Sequence, residues 1–312
     1  MISLSCADYA FPLLPREQRF ALVRMLGFDF VDLGVFEHSD GLKPGQLIAR
    51  PRKFARQLKR DLIHAGLRVS DVSLQTGLNV KDSSDNVSSA IVRSRNRKTF
   101  LLALELCTEL ECPHLTGLPG GSFKDVDEKE SFELAIEEVG WRHHIASGTG
   151  IRYAMKPHID SVCASVASVH SFLDAIPGLT LTLDYAHFVA QKIGARDVHA
   201  LLPFASHLQA RGAARRRLQV PVEKNQVDFA GMVKRLYDHK YRGFVAIAYL
   251  RDSWWGCDRT DNMSETLLLR NQMVEYLRPQ QRENAAPQGR QSYPPSSESA
   301  WPPPSPSALR EA

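Results

Sequence analysis

Cysteine is scarce and poorly placed for pairing. The five residues Cys6, Cys107, Cys112, Cys163 and Cys257 are odd in number and include no C-x-x-C pair. This argues against a disulfide framework and a clustered structural zinc site, and makes a reducing cytoplasm the expected home. Long hydrophobic runs are also missing: no stretch approaches the ~20 apolar residues that a membrane span needs. The N-terminus has no basic segment ahead of its apolar residues, which are interrupted at Asp8, so neither secretion nor membrane insertion is expected. Charge of one sign is not in excess either. The 39 basic and 35 acidic residues leave +4 on 312 residues, a balance that does not call for nucleic acid as a partner. Finally, no Gly-rich phosphate loop follows the first apolar run, where Cys6, Ala7 and Asp8 stand, which counts against an open dinucleotide-binding sheet.

What is present is ordinary globular composition, 43% hydrophobic and 24% charged, enough for one large core. Short apolar runs near Ile2 to Ser5, Phe28 to Leu33, Leu67 to Leu74, His114 to Leu118, Ile151 to Met155, Leu179 to Leu183, Ala205 to Leu208 and Phe244 to Tyr249 are expected strands. Segments of helical period lie between them. Phe100, Ala103, Leu104 and Cys107 share one face, as do Val166, Val169, Phe172, Leu173 and Ile176, and again Phe229, Met232, Val233, Leu236 and Tyr237. Eight strands alternating with helices make a (β/α)8 TIM barrel of class α/β, a single domain over residues 1–279. Residues 280–312 are rich in Pro, Ser, Gln and Glu. They are expected to be a disordered Pro/Ser-rich tail, with a polyproline partner ligand as the sharper alternative.

In such a barrel the carboxyl ends of the strands line the active-site mouth. The run LTLTLDYAHF ends on Asp184 with His187 just behind it, RYAMKPH ends on Lys156 and His158, ASHLQAR ends on Gln209 and Arg211, and FVAIAYL ends on Ala248.

The segments SLSCADYAFPLL, KPHIDSV, PGLTLTLDYAHF, HLQARGA, LQVPVEKNQVDF, YRGFVAIAYL and DRTDNMSETLLLRN resemble the sugar phosphate isomerase/epimerase family, the xylose isomerase-like TIM barrels that include ketose 3-epimerases and hydroxypyruvate isomerases. The likeness covers nearly the whole chain up to about Leu277. It implies a divalent metal (manganese, magnesium, cobalt or zinc) held by Glu, Asp, His and Glu at the ends of strands five to eight, with the two glutamates as acid and base. Laid on this sequence, the first glutamate is Lys156, the aspartate is Asp184, the histidine is Gln209 and the last glutamate is Ala248. Three of the four ligands are replaced. His207, two residues before Gln209, is expected to face away from the mouth. The family set brings −3 to the ion, whereas the four residues here sum to zero without one, so no metal or other cofactor is expected and Lys156 is expected to pair with Asp184.

Several readings stay open residue by residue. Lys156 is either half of a salt bridge or a reactive amine, acting as a base or forming a Schiff base. Asp184 and His187 are either an acid/base pair or inherited packing groups, and His158 either lines the mouth or supports it. Gln209 and Arg211 are candidate substrate contacts. Arg215, with Arg216 and Arg217, either forms an anion-binding loop with Arg211 or is a solvated basic turn. Trp254, beside Trp255, either walls the site or packs a loop. Asp228 is expected to cap the helix that begins near Phe229.

Two functions follow. One is an isomerase- or epimerase-like enzyme acting on a sugar-like or other oxygenated small molecule without the family metal. The other is a catalytically silent barrel that binds a ligand or supports a partner subunit, with a homo-oligomer also open. An apurinic-site endonuclease of the same superfamily needs a cluster of zinc ions, which these strand ends cannot hold.

Overall fold

The computed structural model describes residues 1–37, 42–77 and 84–285. In chain order the elements are β1 (Ser3–Ala7), α1 (Arg16–Met25), β2 (Phe30–Phe36), α2 (Pro44–Ala49), α3 (Pro51–Ala65), β3 (Arg68–Gln75), α4 (Ala90–Glu109), β4 (His114–Gly117), α5 (Glu128–Ser147), β5 (Arg152–Met155), α6 (Val166–Ala175), β6 (Thr180–Asp184), α7 (Tyr185–Ala190), α8 (Ala195–His199), β7 (Ala205–Ala210), α9 (Phe229–Asp238), β8 (Phe244–Ile247) and α10 (Asn262–Ala285). The strands pair in parallel in the order β1 to β8, and β8 closes on β1. All eight expected strands form, and the fold is a TIM barrel.

Local chemistry sets the helix ends. Ser89 and Asp127 cap α4 and α5 through their side-chain oxygens, Ser165 and Ser168 form a reciprocal capping box on α6, and Asp228 caps α9 by accepting from the Gly231 N–H at 2.8 Å. Gly66 ends α3 in the left-handed conformation at φ 68°. Outward strand residues such as Cys6, Leu33, Val72, Leu115, Leu183 and Leu208 pack under the helices with Phe100, Phe172 and Leu236 in one core. α10 continues to Ala285, past the boundary expected at 279, because Gln281, Arg282 and Glu283 are ordinary helix formers. The rest of the expected tail lies outside the described residues.

The barrel interior departs from the usual apolar layers. Two register shifts add inward residues to it. The β2/β3 pairing shifts between Val31 and Asp32 and passes over Ser70, and the β6/β7 pairing shifts between Leu181 and Thr182 and passes over Ser206. Ser70 and Asp71 therefore both turn inward, as do Ser206 and His207. Asp32 accepts from Ser5 (2.8 Å) and Ser70 (2.6 Å) and pairs with His207 Nε2 at 2.7 Å. Asp71 contacts His114 Nδ1 at 2.7 Å and accepts from Thr116 (2.9 Å) and Ser73 (2.8 Å). His207 thus points into the barrel, contrary to the expectation above: residues i and i+2 of a strand share a face, so it sits below Gln209 on the same side.

Candidate active site at the barrel mouth

The carboxyl ends of the strands open into a cavity of about 830 Å³ whose lining includes Lys156, His158, His187, Gln209, Arg211 and Trp254. β5 ends at Met155 and leaves Lys156 as the next residue, aimed inward by the strand alternation. Its Nζ donates to Gln209 Oε1 at 2.5 Å and lies 3.2 Å from Asp184 Oδ2. Gln209 in turn donates to Ser73 at 3.3 Å, and Ser73 donates to Asp71. The mouth and the interior network are therefore one continuous hydrogen-bonded system.

Asp184 is 1% exposed and carries four contacts. It accepts from Arg211 Nη2 at 3.0 Å and the Ala186 N–H at 3.0 Å, takes Lys156, and faces His187 Nε2 at 3.4 Å. Burial alone would raise this carboxyl, but the charges of Arg211 and then Lys156 hold it well below the usual carboxylate range. Burial lowers the Lys156 ammonium. Asp184 opposes that and Arg211 reinforces it, so the amine is more available than in a free lysine.

Backbone donors meet both histidines: Ile159 N–H donates to His187 Nδ1 at 3.2 Å, and Asp160 N–H donates to His158 Nδ1 at 3.3 Å. Neutral His158 therefore carries its proton on Nε2, whereas His187 Nε2 lies 3.1 Å from the donor Arg211 Nη2 and 3.4 Å from Asp184 Oδ2. Burial pushes His187 down to about 4 despite Asp184, and burial with the neighbouring His187 pushes His158 well below its ordinary value. His158 packs at 4.4 Å from the His187 ring and stacks on Trp254 at 5.0 Å and 18°. Its Nε2 has no hydrogen-bond partner among the described residues. Trp254 and Trp255 both donate to Asp160 Oδ2, at 2.9 and 3.3 Å, which fixes the loop after β8 although Trp255 sits at φ 53°.

The opposite wall is apolar. Ala248 is 2% exposed and packs with Ala7, Tyr9, Phe36 and Leu250. Gly34 permits this packing, because a Cβ there would lie 2.6 Å from both the Tyr9 and Phe36 rings.

Of the eight candidate residues, seven meet at the mouth: Lys156, His158, Asp184, His187, Gln209, Arg211 and Trp254. Arg215 does not. Its N–H bonds to Gln226 Oε1 at 3.1 Å, and the chain, turning through the Ala214 to Arg217 bridge, sends it to a separate shallow hollow with Lys192 and Ile193. Asp32, Asp71, His114 and His207 were not singled out as a unit by the sequence. The signal was available in FVDLGVF and RVSDVSLQ, where an aspartate interrupts an apolar strand.

The sequence model of the family described as xylose isomerase-like TIM barrel matches residues 20–272. Among solved structures, an L-ribulose 3-epimerase shares 14% identity and a TM-score of 0.68, covering 93% of this chain and 100% of its own. A xylose isomerase-like TIM barrel protein from Mycobacterium smegmatis, solved with magnesium, shares 15% and 0.69 over 89% and 97%. A 3-keto-D-glucoside 4-epimerase from E. coli shares 14% and 0.62 over 90% and 100%. At these identities the likeness establishes the fold alone. No match reaches significance among curated proteins. With the family match spanning most of its length, the chain belongs to the xylose isomerase-like TIM barrel family.

Proposed function

We propose that the mouth binds a sugar-like or other oxygenated small molecule and acts on it as an isomerase- or epimerase-like enzyme, with the Lys156 ammonium in place of the divalent metal. One observation carries this reading: the Lys156 Nζ lies where the ends of β5, β6 and β7 converge, 2.5 Å from Gln209 Oε1 and 3.2 Å from Asp184 Oδ2.

The residues at the four strand ends of the mouth do not fit a metal. Asp184 already serves Arg211, Lys156 and a backbone N–H, the Gln209 oxygen is taken by Lys156, and Ala248 offers no donor. A 2+ ion about 4 Å from the ammonium would be repelled by roughly 8 kcal/mol at an effective dielectric near 20. In the proposed site a substrate carbonyl accepts from Lys156 and from the Nε2–H of His158, while Trp254 and the Tyr9 side supply walls against the carbon skeleton. The five cysteines, all buried and free, are in keeping with the proposed cytoplasmic setting. No helix among the described residues is long and apolar enough to cross a membrane.

The experiment is metal content of the purified protein by elemental mass spectrometry, with thermal shifts on adding manganese, magnesium, cobalt or zinc. Absence of both metal and shift is expected. Stoichiometric metal with strong stabilisation refutes the reading.

A second reading is favoured by Ala248. Without a group on that face, two-sided proton transfer is lost, and on this reading the barrel binds a ligand or steadies a partner subunit or a second copy without chemistry. Incorporation of solvent deuterium into ketoses, followed by mass spectrometry, separates the two: the enzyme labels them and the silent barrel does not.

A further inference from the structure

We propose that Lys156 is a covalent group: its Nζ condenses with the carbonyl of a small hydroxyketone or hydroxyaldehyde in the mouth to form an iminium. This deepens the reading above and rests on it. Among the described residues Lys156 is the only amine lining the cavity, and its side chain is 15% exposed, open to the cavity and shielded elsewhere. It is held by its neighbours rather than free to sweep, because Gln209 Oε1 and Asp184 Oδ2 fix two of its hydrogens, which orients the nitrogen toward an entering carbon. Burial favours the free amine that attacks.

Atoms and charge balance without any further reactant. The C–N bond forms and the carbonyl C–O bond breaks. Two of the three ammonium hydrogens leave with the carbonyl oxygen as water, one remains on nitrogen, and the positive charge stays on nitrogen. The ion pair with Asp184 therefore survives the reaction, so the step does not strand the buried carboxylate that Arg211 and Lys156 neutralise together. The Nε2–H of His158, unpartnered among the described residues and presented to the same cavity, is placed to hold the departing oxygen. The covalent iminium withdraws electrons from the neighbouring carbon more strongly than a hydrogen bond does. That supplies activation which the missing carboxylates and metal do not.

The test uses the full chain with dihydroxyacetone and cyanoborohydride, which reduces an iminium to a stable amine and spares the ketone, followed by peptide mass spectrometry. The peptide carrying Lys156 is expected to be labelled at least about ten-fold faster than any surface lysine, and Lys156→Arg to lose that label while melting as a folded protein. Label confined to surface lysines, or no label, overturns the proposal. A thermal shift with dihydroxyacetone that disappears in Lys156→Met, but without label on Lys156, removes the covalent step and leaves non-covalent binding standing. Absence of both shift and label removes both.

Discussion

Replacing Asp184 by asparagine tests whether one carboxylate organises the mouth. The substitution keeps the shape and the bond to the Ala186 N–H, and removes only the charge. It leaves Lys156 and Arg211, 3.2 and 3.0 Å from that position, facing each other with no anion between them. Removing one partner of a buried pair costs about 3–5 kcal/mol. Two cations share this anion, which argues for the upper part of that range, yet Lys156 can shed its proton into the wet mouth, which limits the loss. At roughly 2–4 °C per kcal/mol for a chain of this size, a fall in Tm of roughly 6–20 °C is expected by scanning calorimetry.

Lys156→Met is the informative counterpart. Asp184 then keeps Arg211 and the Ala186 N–H, and the lost ammonium was partly solvated, so its Coulomb contribution is screened. The expected cost is about 1 kcal/mol, much of it from the Gln209 oxygen losing its donor. In the double variant Lys156→Met/Asp184→Asn, removing the lysine relieves the repulsion that the asparagine created. The double should therefore cost less than the sum by about 1–3 kcal/mol. If Lys156→Met costs as much as Asp184→Asn, or the two effects add within about 0.5 kcal/mol, Asp184 is not the anion that both cations depend on.

The same geometry sets a pH response. His187 has its folded pKa at about 4, below the unfolded value, so the unfolded chain binds the extra proton first. Stability falls from pH ~6.5 toward pH ~4, by roughly 3 kcal/mol from this residue. His187→Gln should flatten that limb in calorimetry at pH 7, 6, 5 and 4.5. His207 has the opposite sign. Burial opposes its charge, but Asp32 at 2.7 Å raises it above the ordinary value. Its contribution is full below pH ~6.5 and is lost as pH rises through the folded pKa, so His207→Asn should cost more at pH 6 than at pH 9. Finally, Lys156→Glu with Gln209→His and Ala248→Glu restores the −3 ligand set. Manganese at 100 times its Kd should then stabilise the triple variant by about 2.7 kcal/mol, while wild type shows no shift; a triple variant without a shift would mean that these strand ends are misaligned.

The barrel was legible because period carries it: eight apolar runs separated by helical segments leave little choice of architecture. The Lys156–Asp184 pair was legible too, since two opposite charges on adjacent strand ends have few other partners. Two features were not. Arg215 reads like Arg211 in sequence, four residues on, but the Ala214 to Arg217 turn sends it out to Gln226, and turn geometry of that kind leaves no period to read. The extra inward residues Ser70 and Ser206 were obscured by register shifts, each of which adds a residue to one strand and breaks the simple alternation by which inside is told from outside, whereas the inward His207 follows from the plain period of two that it shares with Gln209.

Charge explains why the polar lining of this barrel is so closely paired. From Asp32 up through Asp71 to Asp184, the barrel holds three carboxylates buried to 1% exposure or less. Three such anions are intolerable unless matched. At the top Arg211 and Lys156 both contact Asp184, at 3.0 and 3.2 Å, and below it His207, which Asp32 raises against burial, lies 2.7 Å from Asp32. Asp71 accepts from Thr116 and Ser73 and lies 2.7 Å from His114 Nδ1. The Lys156 ammonium is one of the two cations gathered on Asp184, and chemistry that kept nitrogen cationic throughout would be the kind this column accommodates with least rearrangement.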